Sequence, residues 1–393
     1  MIRTVPRVLL LVPTATYRAP DFVKAARALG VELIVGSEEP PAIGDRSVAV
    51  PLDDPEAAVP VIEGIDDGRG VDAVVAVDDQ GVVVAAAAGA RLGFPHNPLD
   101  AVAATRDKRA LRERLAAGEV AQPAFGDTPA TVGYPCVVKP TGLAGSRGVI
   151  RCDDDAGYDA AVARIRAFWS GPLIVERYAP GVEVAVEAIL RGGVLTTLAV
   201  FDKPDPLVGP YFEETIYVTP SRLPRATLAD VEQLVARGAD AIGLTEGPVH
   251  AEVRVDDTVA PARVVLIEVA ARTIGGLCAR TLQFGAGIAL EEVVLRHALG
   301  MDLGDLARPT GAAGVMMLPI PRAGTLRRVD GRADALAVPG VVGLEITVPA
   351  GRAVVPLPES DRYLGFLFAR ADTPGDVETA LRAGEAALDI VIT

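Results

Sequence analysis

The sequence predicts a protein of mixed α/β and α+β class, with an N-terminal parallel α/β domain, a central glycine-loop region and a C-terminal α+β segment. Three observations support this prediction. Short apolar and β-branched runs alternate with helix-like stretches at the start of the chain, which is typical of a parallel sheet. A strand–glycine loop–strand pattern follows in the middle. From residue 311 onward, glycine and proline break the chain into short strands before a last helix.

The N-terminal domain is expected over residues 1–104. Its predicted strands cover residues 7–13, 31–35 and 71–77, and its predicted helices cover residues 19–29 and 81–92. Asp78 and Asp79 follow the last of these strands, at the edge where parallel sheets of this kind bind ligands. The same two acids also suit the N-terminal cap of the next helix, so both interpretations stay open.

The central domain is expected over residues 105–310, with a small α+β subdomain at about residues 130–180, and the last segment over residues 311–393. The predicted elements are a helix at 105–116, strands at 135–140 and 149–152, a helix at 154–168, a strand at 173–178, a hairpin over 183–201, a helix at 228–242, strands at 247–255 and 264–269, a helix at 375–388 and a strand at 389–392.

Composition narrows the classes of function. The net charge of −14 argues against binding to a nucleic-acid backbone, which basic proteins favour. No apolar stretch reaches the roughly 20 residues of a membrane span, and the first apolar run is too short for a signal peptide, so we expect a cytoplasmic protein. The three cysteines lack metal-ligand spacing and are expected to be small buried residues.

A lysine and a glycine-rich loop form the most informative motif. Only four of the 38 basic residues are lysines, and Lys139 ends a predicted strand in the segment VVKPTGLAGSRGV, residues 137–149. Glycine lets backbone N–H groups converge on phosphate oxygens, and a lysine adds a compact positive charge. The loop lacks the GxxxxGK[ST] pattern and returns into a strand rather than opening a helix. A glycine-rich hairpin without a ligand remains the alternative.

Acidic residues follow at three later strands. The segment LIVERYAPGVE, residues 173–183, carries Glu176 at a strand end and Glu183 after the loop, where backbone groups suit an adenine ring and a carboxylate suits ribose hydroxyls. Glu252 and Glu268 lie on neighbouring strands, and two facing carboxylates repel unless a cation such as Mg²⁺ lies between them. Arg272 follows, where a guanidinium suits a carboxylate or phosphoryl group. For Glu176 and Glu183 the alternative is that they are two exposed acids. For Glu252 and Glu268 it is pairing with Arg254 or Arg272, and for Arg272 it is a salt bridge to Glu268 or Asp79.

Taken in this order, the segments resemble the ATP-grasp superfamily, and most of all its carboxylate–amine ligases, which include the L-amino acid α-ligases. The resemblance implies an ATP-grasp fold with a pre-ATP-grasp domain, a glycine-loop lid and a C-terminal segment that completes the module. It also implies ATP and Mg²⁺ as cofactors. Its implied ATP-binding residues are Lys108, Lys139, Thr141, Gly142, Gly145, Ser146, Gly148, Glu176, Arg177, Tyr178, Ala179 and Glu183.

The resemblance further implies Glu252 and Glu268 as magnesium ligands and Arg272, Lys139 and Glu268 as catalytic residues. Candidate substrate contacts are Asp79, Lys203, Glu213, His250, Arg272, Gly275 and Gly276, and an ordinary structural role stays open for Lys203, Glu213 and His250. One departure concerns the metal: many members have asparagine two residues after the second glutamate, and here that residue is Ala270.

The function implied is ATP-dependent ligation of a small carboxylate to a small amine, with amino acids expected as substrates. The reaction proceeds through an acyl phosphate and releases ADP and phosphate. A purine-pathway or carboxylase-type ligase is one alternative, and a nucleotide-binding module without turnover is another. We expect no nucleic-acid or membrane partner, and a homodimer is the default expectation for assembly.

Overall fold

The N-terminal part of the chain folds around a parallel sheet. The structure, a computed structural model, describes residues 5–14, 16–39, 43–65, 69–360 and 362–393. The first elements are β1 (Arg7–Leu11), α1 (Ala19–Leu29), β2 (Glu32–Ser37), β3 (Arg46–Ala49), α2 (Pro55–Glu63), β4 (Ala73–Ala76) and α3 (Val82–Leu92). The strand order is β3-β2-β1-β4 with parallel pairing throughout, as predicted. Residues 1–4, part of the predicted N-terminal domain, lie outside the described residues.

Two elements of this part were not predicted. Strand β3 lies at the sheet edge with mostly exposed residues, so its sequence carries no apolar run, and helix α2 contains Pro60. The capping interpretation of Asp78 and Asp79 is wrong. Helix α3 has Gly81 as its N-cap, and no side chain there accepts a capping hydrogen bond.

The next part carries a small sheet. Its elements are α4 (Leu99–Thr105), α5 (Lys108–Ala117), β5 (Phe125–Gly126), α6 (Pro129–Val132), β6 (Cys136–Pro140), β7 (Ile150–Cys152), α7 (Asp155–Arg166) and β8 (Leu173–Arg177). The predicted helix over residues 105–116 is α5, which begins three residues later than predicted, and α4 before it was not predicted. Asp107 caps α5 by accepting hydrogen bonds from the N–H groups of Arg109 and Ala110, so α5 begins anew at Lys108.

The small sheet has the order β5-β8-β6-β7, and its apolar face packs against α7. We call the unit from β5 to β8 the lid. Its glycine loop joins β6 to β7, as the sequence predicts. Cys136 and Cys152 are register partners in this hairpin, and both are buried free thiols.

The rest of the chain builds a larger antiparallel sheet. Its elements are β9 (Val182–Arg191), β10 (Val194–Lys203), β11 (Ile216–Thr219), α8 (Arg225–Ile242), β12 (Gly247–Asp256), β13 (Arg263–Ala270), a 3₁₀ helix (Cys278–Thr281), β14 (Gln283–Phe284), β15 (Ile288–Ala289), α9 (Leu290–Ala298), β16 (Ala312–Leu318), β17 (Gly324–Asp330), α10 (Arg332–Ala337), β18 (Val341–Ile346), β19 (Ala353–Val354), β20 (Gly365–Ala371), α11 (Pro374–Ala386) and β21 (Asp389–Ile392).

Eight strands form the large sheet in the order β13-β12-β9-β10-β11-β16-β20-β18. The C-terminal strands β16, β18 and β20 therefore complete the sheet that β9 to β13 begin, as the fold resemblance implies. Helix α8 packs on one face of the sheet through Val231, Leu234 and Val235. The 3₁₀ helix and α9 cover the other face, where Phe201 and Phe366 lie. Within the described residues, no helix is long and apolar enough to cross a membrane.

Candidate active site

A cavity of about 560 Å³ lies where the N-terminal sheet, the lid and the large sheet meet. Asp78 and Asp79 reach it from the end of β4, the glycine loop covers it, and Glu252 and Glu268 line its floor on β12 and β13. The carboxyl edge of the parallel sheet thus faces the cavity, as the sequence predicts for such sheets.

Two lysines enter the cavity from neighbouring elements. Lys139 is the fourth residue of β6, and Lys108 is the first residue of α5. The backbone N–H of Lys108 donates to the carbonyl of Thr141 at 2.9 Å, and its Nζ donates to the carbonyl of Leu143 at 2.5 Å. These bonds attach the start of α5 to the glycine loop, so both ammonium groups stand beside it.

Glu176 is a buried anchor for one of these lysines. Lys139 Nζ lies 2.7 Å from Glu176 Oε2, and Arg112 binds the same carboxylate with two bonds of 2.8 and 3.1 Å. Burial alone would raise the pKa of Glu176, but the two neighbouring cations lower it to about 2. Burial also lowers the pKa of Lys139. The carboxylate of Glu176 therefore fixes Lys139, while Arg177, Tyr178 and Ala179 continue along the cavity wall.

The central residues of the glycine loop line the cavity. Leu143, Ala144, Gly145, Ser146 and Arg147 line the cavity, whereas Thr141, Gly142 and Gly148 do not. Gly145 and Ser146 have φ of 64° and 56°, a conformation that is costly for serine and is often kept at binding sites. The N–H of Gly148 donates to the carbonyl of Pro358 at 2.9 Å, which docks the lid on the C-terminal segment.

The two predicted metal ligands face each other across a hairpin. Glu252 and Glu268 are register partners in the β12–β13 pair, next to a β-bulge. Lys108 Nζ lies 4.0 Å from Glu268, and Lys203 Nζ lies 2.9 Å from Glu252. Each carboxylate therefore has a lysine nearby, whereas the arginines that the sequence left open as partners pair elsewhere, Arg254 with Glu183 and Arg272 with Asp79.

Lys203 lies behind the cavity wall at the centre of a carboxylate cluster. Its Nζ is 2.6 Å from both Glu183 and Glu214, and 2.9 Å from Glu252. These three carboxylates are close enough to share one cation, and the ammonium of Lys203 takes that place. Lys203 itself does not line the cavity, and Glu213 does not either, whereas Glu214 does.

The charged groups of this cluster shift one another's pKa values. Burial and the charge of Glu252 raise the pKa of Glu214 to about 7. Burial acts against ionisation of Glu252, but Lys203 and His250 hold its pKa well below the usual range. Burial would lower the pKa of Lys203, yet Glu183, Glu214 and Glu252 raise it well above its usual value. Lys203 is therefore a permanent cation beneath the predicted metal pair.

Glu183 is bound from two sides. Arg254 Nε donates to Glu183 Oε2 at 2.7 Å, opposite the bond from Lys203, so both oxygens of this predicted ribose contact already accept hydrogen bonds. Each carboxylate oxygen has a second lone pair, so a further hydroxyl donor still has an acceptor there.

Arg272 connects the large sheet to the N-terminal sheet. Its Nη2 lies 3.0 Å from Asp79 Oδ2, and its Nη1 donates to the carbonyl of Thr273 at 2.9 Å. Burial would raise the pKa of Asp79, but Arg272 lowers it. Nearby, Arg18 donates to the carbonyl of Val77 at 2.7 Å. The salt bridge to Asp79, left open by the sequence, is present and orients the guanidinium at the cavity.

His250 lies beside the cavity floor that Glu252 and Glu268 line. Its Nδ1 contacts Glu187 in a short buried pair, and its Nε2 lies 3.8 Å from Glu252. Burial would lower the pKa of His250, but Glu187 raises it to about 9. His250, Gly275 and Gly276 all line the cavity, so three of the predicted substrate contacts lie beside Arg272.

Three family profiles match consecutive parts of the chain. The profile for the ATP-grasp N-terminal domain matches residues 23–96, that for the ATP-grasp domain matches residues 132–281, and that for L-amino acid ligase C-terminal domain 2 matches residues 316–393. The chain belongs to the ATP-grasp family. The order of the profiles follows the order of the parts that enclose the cavity.

Solved structures agree with this assignment. The L-amino acid ligase from Bacillus licheniformis superposes with a TM-score of 0.83 at 25% identity, over 99% of both chains. A carboxyaminoimidazole ribonucleotide synthase from Aspergillus clavatus, solved with ATP, superposes with a TM-score of 0.76 at 18% identity, over 98% of both chains. The second likeness shows a shared ATP-grasp fold and nothing finer.

A curated relative is the uncharacterised protein y4rH of Sinorhizobium fredii, which is 26% identical over 72% of this chain. The chain spans only about 60% of the length of that relative. The description of this relative names no activity, so it does not bear on the reaction.

The donor set of this ATP-grasp chain fits a magnesium ion. Glu252 and Glu268 supply the hard oxygen ligands that Mg²⁺ takes, and they do so on the cavity floor rather than at the surface. The tighter cluster around Lys203 does not fit a second cation, because the ammonium already fills it.

Sequence reasoning missed several residues of the ATP-grasp cavity. Glu214, Tyr17, Tyr217, Met317 and Tyr363 line it, although they come from four separate parts of the chain. Arg112 was also missed, because a mid-helix arginine usually faces solvent and gives no signal of its buried pair with Glu176.

Proposed function

We propose that the protein is an ATP-dependent carboxylate–amine ligase that joins two amino acids through an acyl phosphate and releases ADP and phosphate. The observation that carries the proposal is one cavity lined by Lys108, Lys139, Glu252, Glu268 and Arg272. The match of residues 316–393 to L-amino acid ligase C-terminal domain 2 supports amino acids as the substrates.

ATP occupies the side of the cavity under the lid. Lys108 and Lys139 attract the phosphates, and the loop centre from Leu143 to Arg147 covers them. The adenine lies along Arg177, Tyr178 and Ala179, with Glu183 at the ribose. Glu176 takes part by fixing Lys139 at 2.7 Å rather than by touching the nucleotide with its side chain.

Glu252 and Glu268 would hold Mg²⁺, which offsets negative charge on the phosphate oxygens when it is bound. Lys108, 4.0 Å from Glu268, adds a fixed positive charge on the same side. Lys203 neutralises part of the charge of Glu183, Glu214 and Glu252, so that the acidic floor does not repel ATP.

In the first step, a carboxylate oxygen of one amino acid attacks the γ-phosphorus of ATP, the bond to the bridging oxygen breaks, and ADP leaves. Arg272 orients the attacking carboxylate, because its guanidinium is held toward the cavity by Asp79 at 3.0 Å. The product is an acyl phosphate. No side chain needs to become covalently attached.

In the second step, the amine of the other amino acid attacks the carbonyl carbon of the acyl phosphate. Arg272 stabilises the oxyanion that forms, and phosphate leaves as the amide is completed. Water would hydrolyse the acyl phosphate, so the lid must stay closed. The bond from Gly148 to Pro358 supports this closed position.

A phosphate-release screen over pairs of amino acids tests the proposal. We expect release that requires ATP, Mg²⁺ and one acid–amine pair, with ADP and the amide formed in equal amounts. Glu268→Gln is expected to abolish turnover while the circular dichroism spectrum and melting temperature stay close to those of the wild type. Full activity in this variant would refute the metal assignment.

Three outcomes distinguish the alternatives. AMP release would contradict an acyl phosphate. A requirement for bicarbonate or a phosphoribosyl substrate would favour a carboxylase-type or purine-pathway ligase. ATP binding that no substrate pair converts into hydrolysis would favour a nucleotide-binding module without turnover.

A further inference from the structure

Two arginines outside the candidate active site face a second, smaller pocket. Arg308 precedes β16 and Arg370 lies near the end of β20, and both line this pocket together with Thr281 and Gly311. Within the described ranges, neither guanidinium has a carboxylate within 4.0 Å. Arg308 donates to the hydroxyl of Thr219, and Arg370 Nη2 makes long contacts of 3.4 and 3.5 Å with the carbonyls of Thr281 and Arg280.

The sheet register explains why the two cations meet. Ala313 on β16 pairs with Thr219 on β11 and with Arg370 on β20, so these three side chains share one sheet face. Arg308 reaches that face through its bond to Thr219. The small side chain of Ala313 between them leaves space, and the pocket has a free volume of about 20 Å³. This volume holds about one water-sized group, so one oxygen of an ion fits there while the rest of the ion lies toward the rim.

The charge in this pocket is not compensated by protein groups. Arg308 Nε is buried and has no hydrogen-bond partner. Burial and the positive charge of Arg370 both lower the pKa of Arg308. Two like charges held together in a partly buried place are costly unless an opposite charge joins them. Guanidinium groups match oxyanions because their N–H donors form paired bonds to oxygen.

We propose that Arg308 and Arg370 form a second binding site for a small oxyanion, with inorganic phosphate as the ligand, at the far end of the large sheet. Gln283 and Thr310 are exposed at the rim of the pocket, so the ion enters from solvent.

The site is physically connected to the catalytic cavity. Met317 lines that cavity and stands four residues along β16 from Ala313, which is about 13 Å in a strand. The 3₁₀ helix makes a second connection, because Cys278 lines the cavity and Thr281 lines the second pocket. An anion between the arginines therefore fixes the end of the 3₁₀ helix whose start touches the substrate space.

Calorimetric titration with inorganic phosphate at constant ionic strength tests the site, with Mg²⁺ and a non-hydrolysable ATP analogue present to fill the catalytic cavity. We expect one phosphate per chain, and at least ~10-fold weaker binding in Arg308→Gln and Arg370→Gln. Arg327→Gln removes an exposed arginine that bonds Thr393 and is expected to bind phosphate as the wild type does. Ribose 5-phosphate in a parallel titration separates a free ion from a phosphoryl group.

The opposite pattern would overturn the proposal. Phosphate binding that disappears in Lys108→Gln and persists in Arg370→Gln would place the anion in the catalytic cavity instead. Binding weaker than about 10 mM in the wild type would also count against the site. Crystals of the wild-type protein soaked in selenate give a readout that is independent of variant folding: an anomalous peak between the two guanidiniums supports the site, and its absence there refutes it.

Discussion

Lys139, the fourth residue of β6, is held in place by a glutamate. Lys139 is buried and paired with Glu176 at 2.7 Å, so its ammonium is fixed before any nucleotide arrives. We expect Lys139→Ala to weaken ATP binding at least ~10-fold, because a preorganised cation is lost from the phosphate side of the cavity. Equilibrium titration with a fluorescent ATP analogue measures the effect.

A matched control is Lys24→Ala, since Lys24 is an exposed lysine of helix α1. Its ATP affinity is expected to equal that of the wild type. Unchanged affinity in Lys139→Ala would mean that the glycine loop and its lysine serve another purpose.

We expect the carboxylate of Glu176 to stabilise the fold by an amount that depends on pH. Arg112 and Lys139 outweigh the effect of burial and lower its pKa from 4.5 to about 2. The ionised group therefore stabilises the fold fully above pH 4.5, and this contribution is lost as the pH falls through about 2. The lowering corresponds to about 3 kcal/mol. Glu176→Gln is expected to lose about this much at pH 7, with a smaller loss at pH 3.

Urea unfolding at pH 7, 4 and 3 measures this difference in the free energy of unfolding. Glu113→Gln replaces an exposed glutamate of the same helix that carries Arg112 and is expected to change stability little at any of these pH values. A loss in Glu176→Gln that stays constant from pH 7 to pH 3 would contradict the assigned ion pair.

For single residues, the sequence predicts which side chains have a chemical role better than it predicts which side chains lie close together. Glu252 and Glu268 could be singled out because a carboxylate on an apolar strand is costly to bury without a partner. Glu214 was not, because its neighbour Glu213 has the same local sequence, and only the return of β11 beside β10 decides which one meets Lys203. Arg112 depends on a contact between residues 64 positions apart.

Contacts between elements hold the lid against the C-terminal segment. Arg164 on α7 binds Glu359 with bonds of 2.6 and 3.1 Å, and Gly148 donates to Pro358 beside it. The ion pair is partly exposed, so it contributes no more than about 1 kcal/mol. Glu359→Gln is expected to raise the population of open lids by up to ~5-fold. Hydrogen exchange of residues 143–147 measures that opening.

Asp330→Asn is the control for this experiment, since it breaks an exposed pair with Arg328 on β17, a strand that bonds to β19 and β21 rather than to the lid. Exchange in the glycine loop should stay unchanged in that variant. Equal exchange in Glu359→Gln and the wild type would show that the ion pair does not hold the lid.

Helices and strands were predictable where the sequence pattern of an element agrees with how that element packs in the fold. The hairpin predicted over residues 183–201 is formed by β9 and β10, and Gly192 and Gly193 in its turn have the positive φ that such turns require. Strand β3 was missed because an exposed edge strand needs no apolar alternation. Helix α4 was not predicted, and α5 begins at Lys108 rather than at residue 105 because Asp107 caps it.

At the scale of the whole molecule, the cavity needs parts that are far apart in sequence. Asp79 at the edge of the N-terminal sheet binds Arg272 beyond the end of β13, across 193 residues. This pair links the N-terminal sheet to Arg272, the residue proposed to orient the substrate carboxylate, while the residues proposed to hold the phosphates are on other elements. We therefore expect the N-terminal domain to act on the chemical step rather than on ATP binding.

We expect Asp79→Asn to lower kcat by roughly 10- to 100-fold, because Arg272 loses its charged partner and its fixed direction. The Kd for ATP is expected to stay unchanged, since Lys108, Lys139 and the lid loop are intact. Steady-state kinetics and nucleotide titration together separate the two quantities. Glu56→Gln, an exposed acid of α2 in the same domain, is expected to leave both at wild-type values. A loss of ATP affinity with kcat preserved would instead mean that the domain helps to bind the nucleotide.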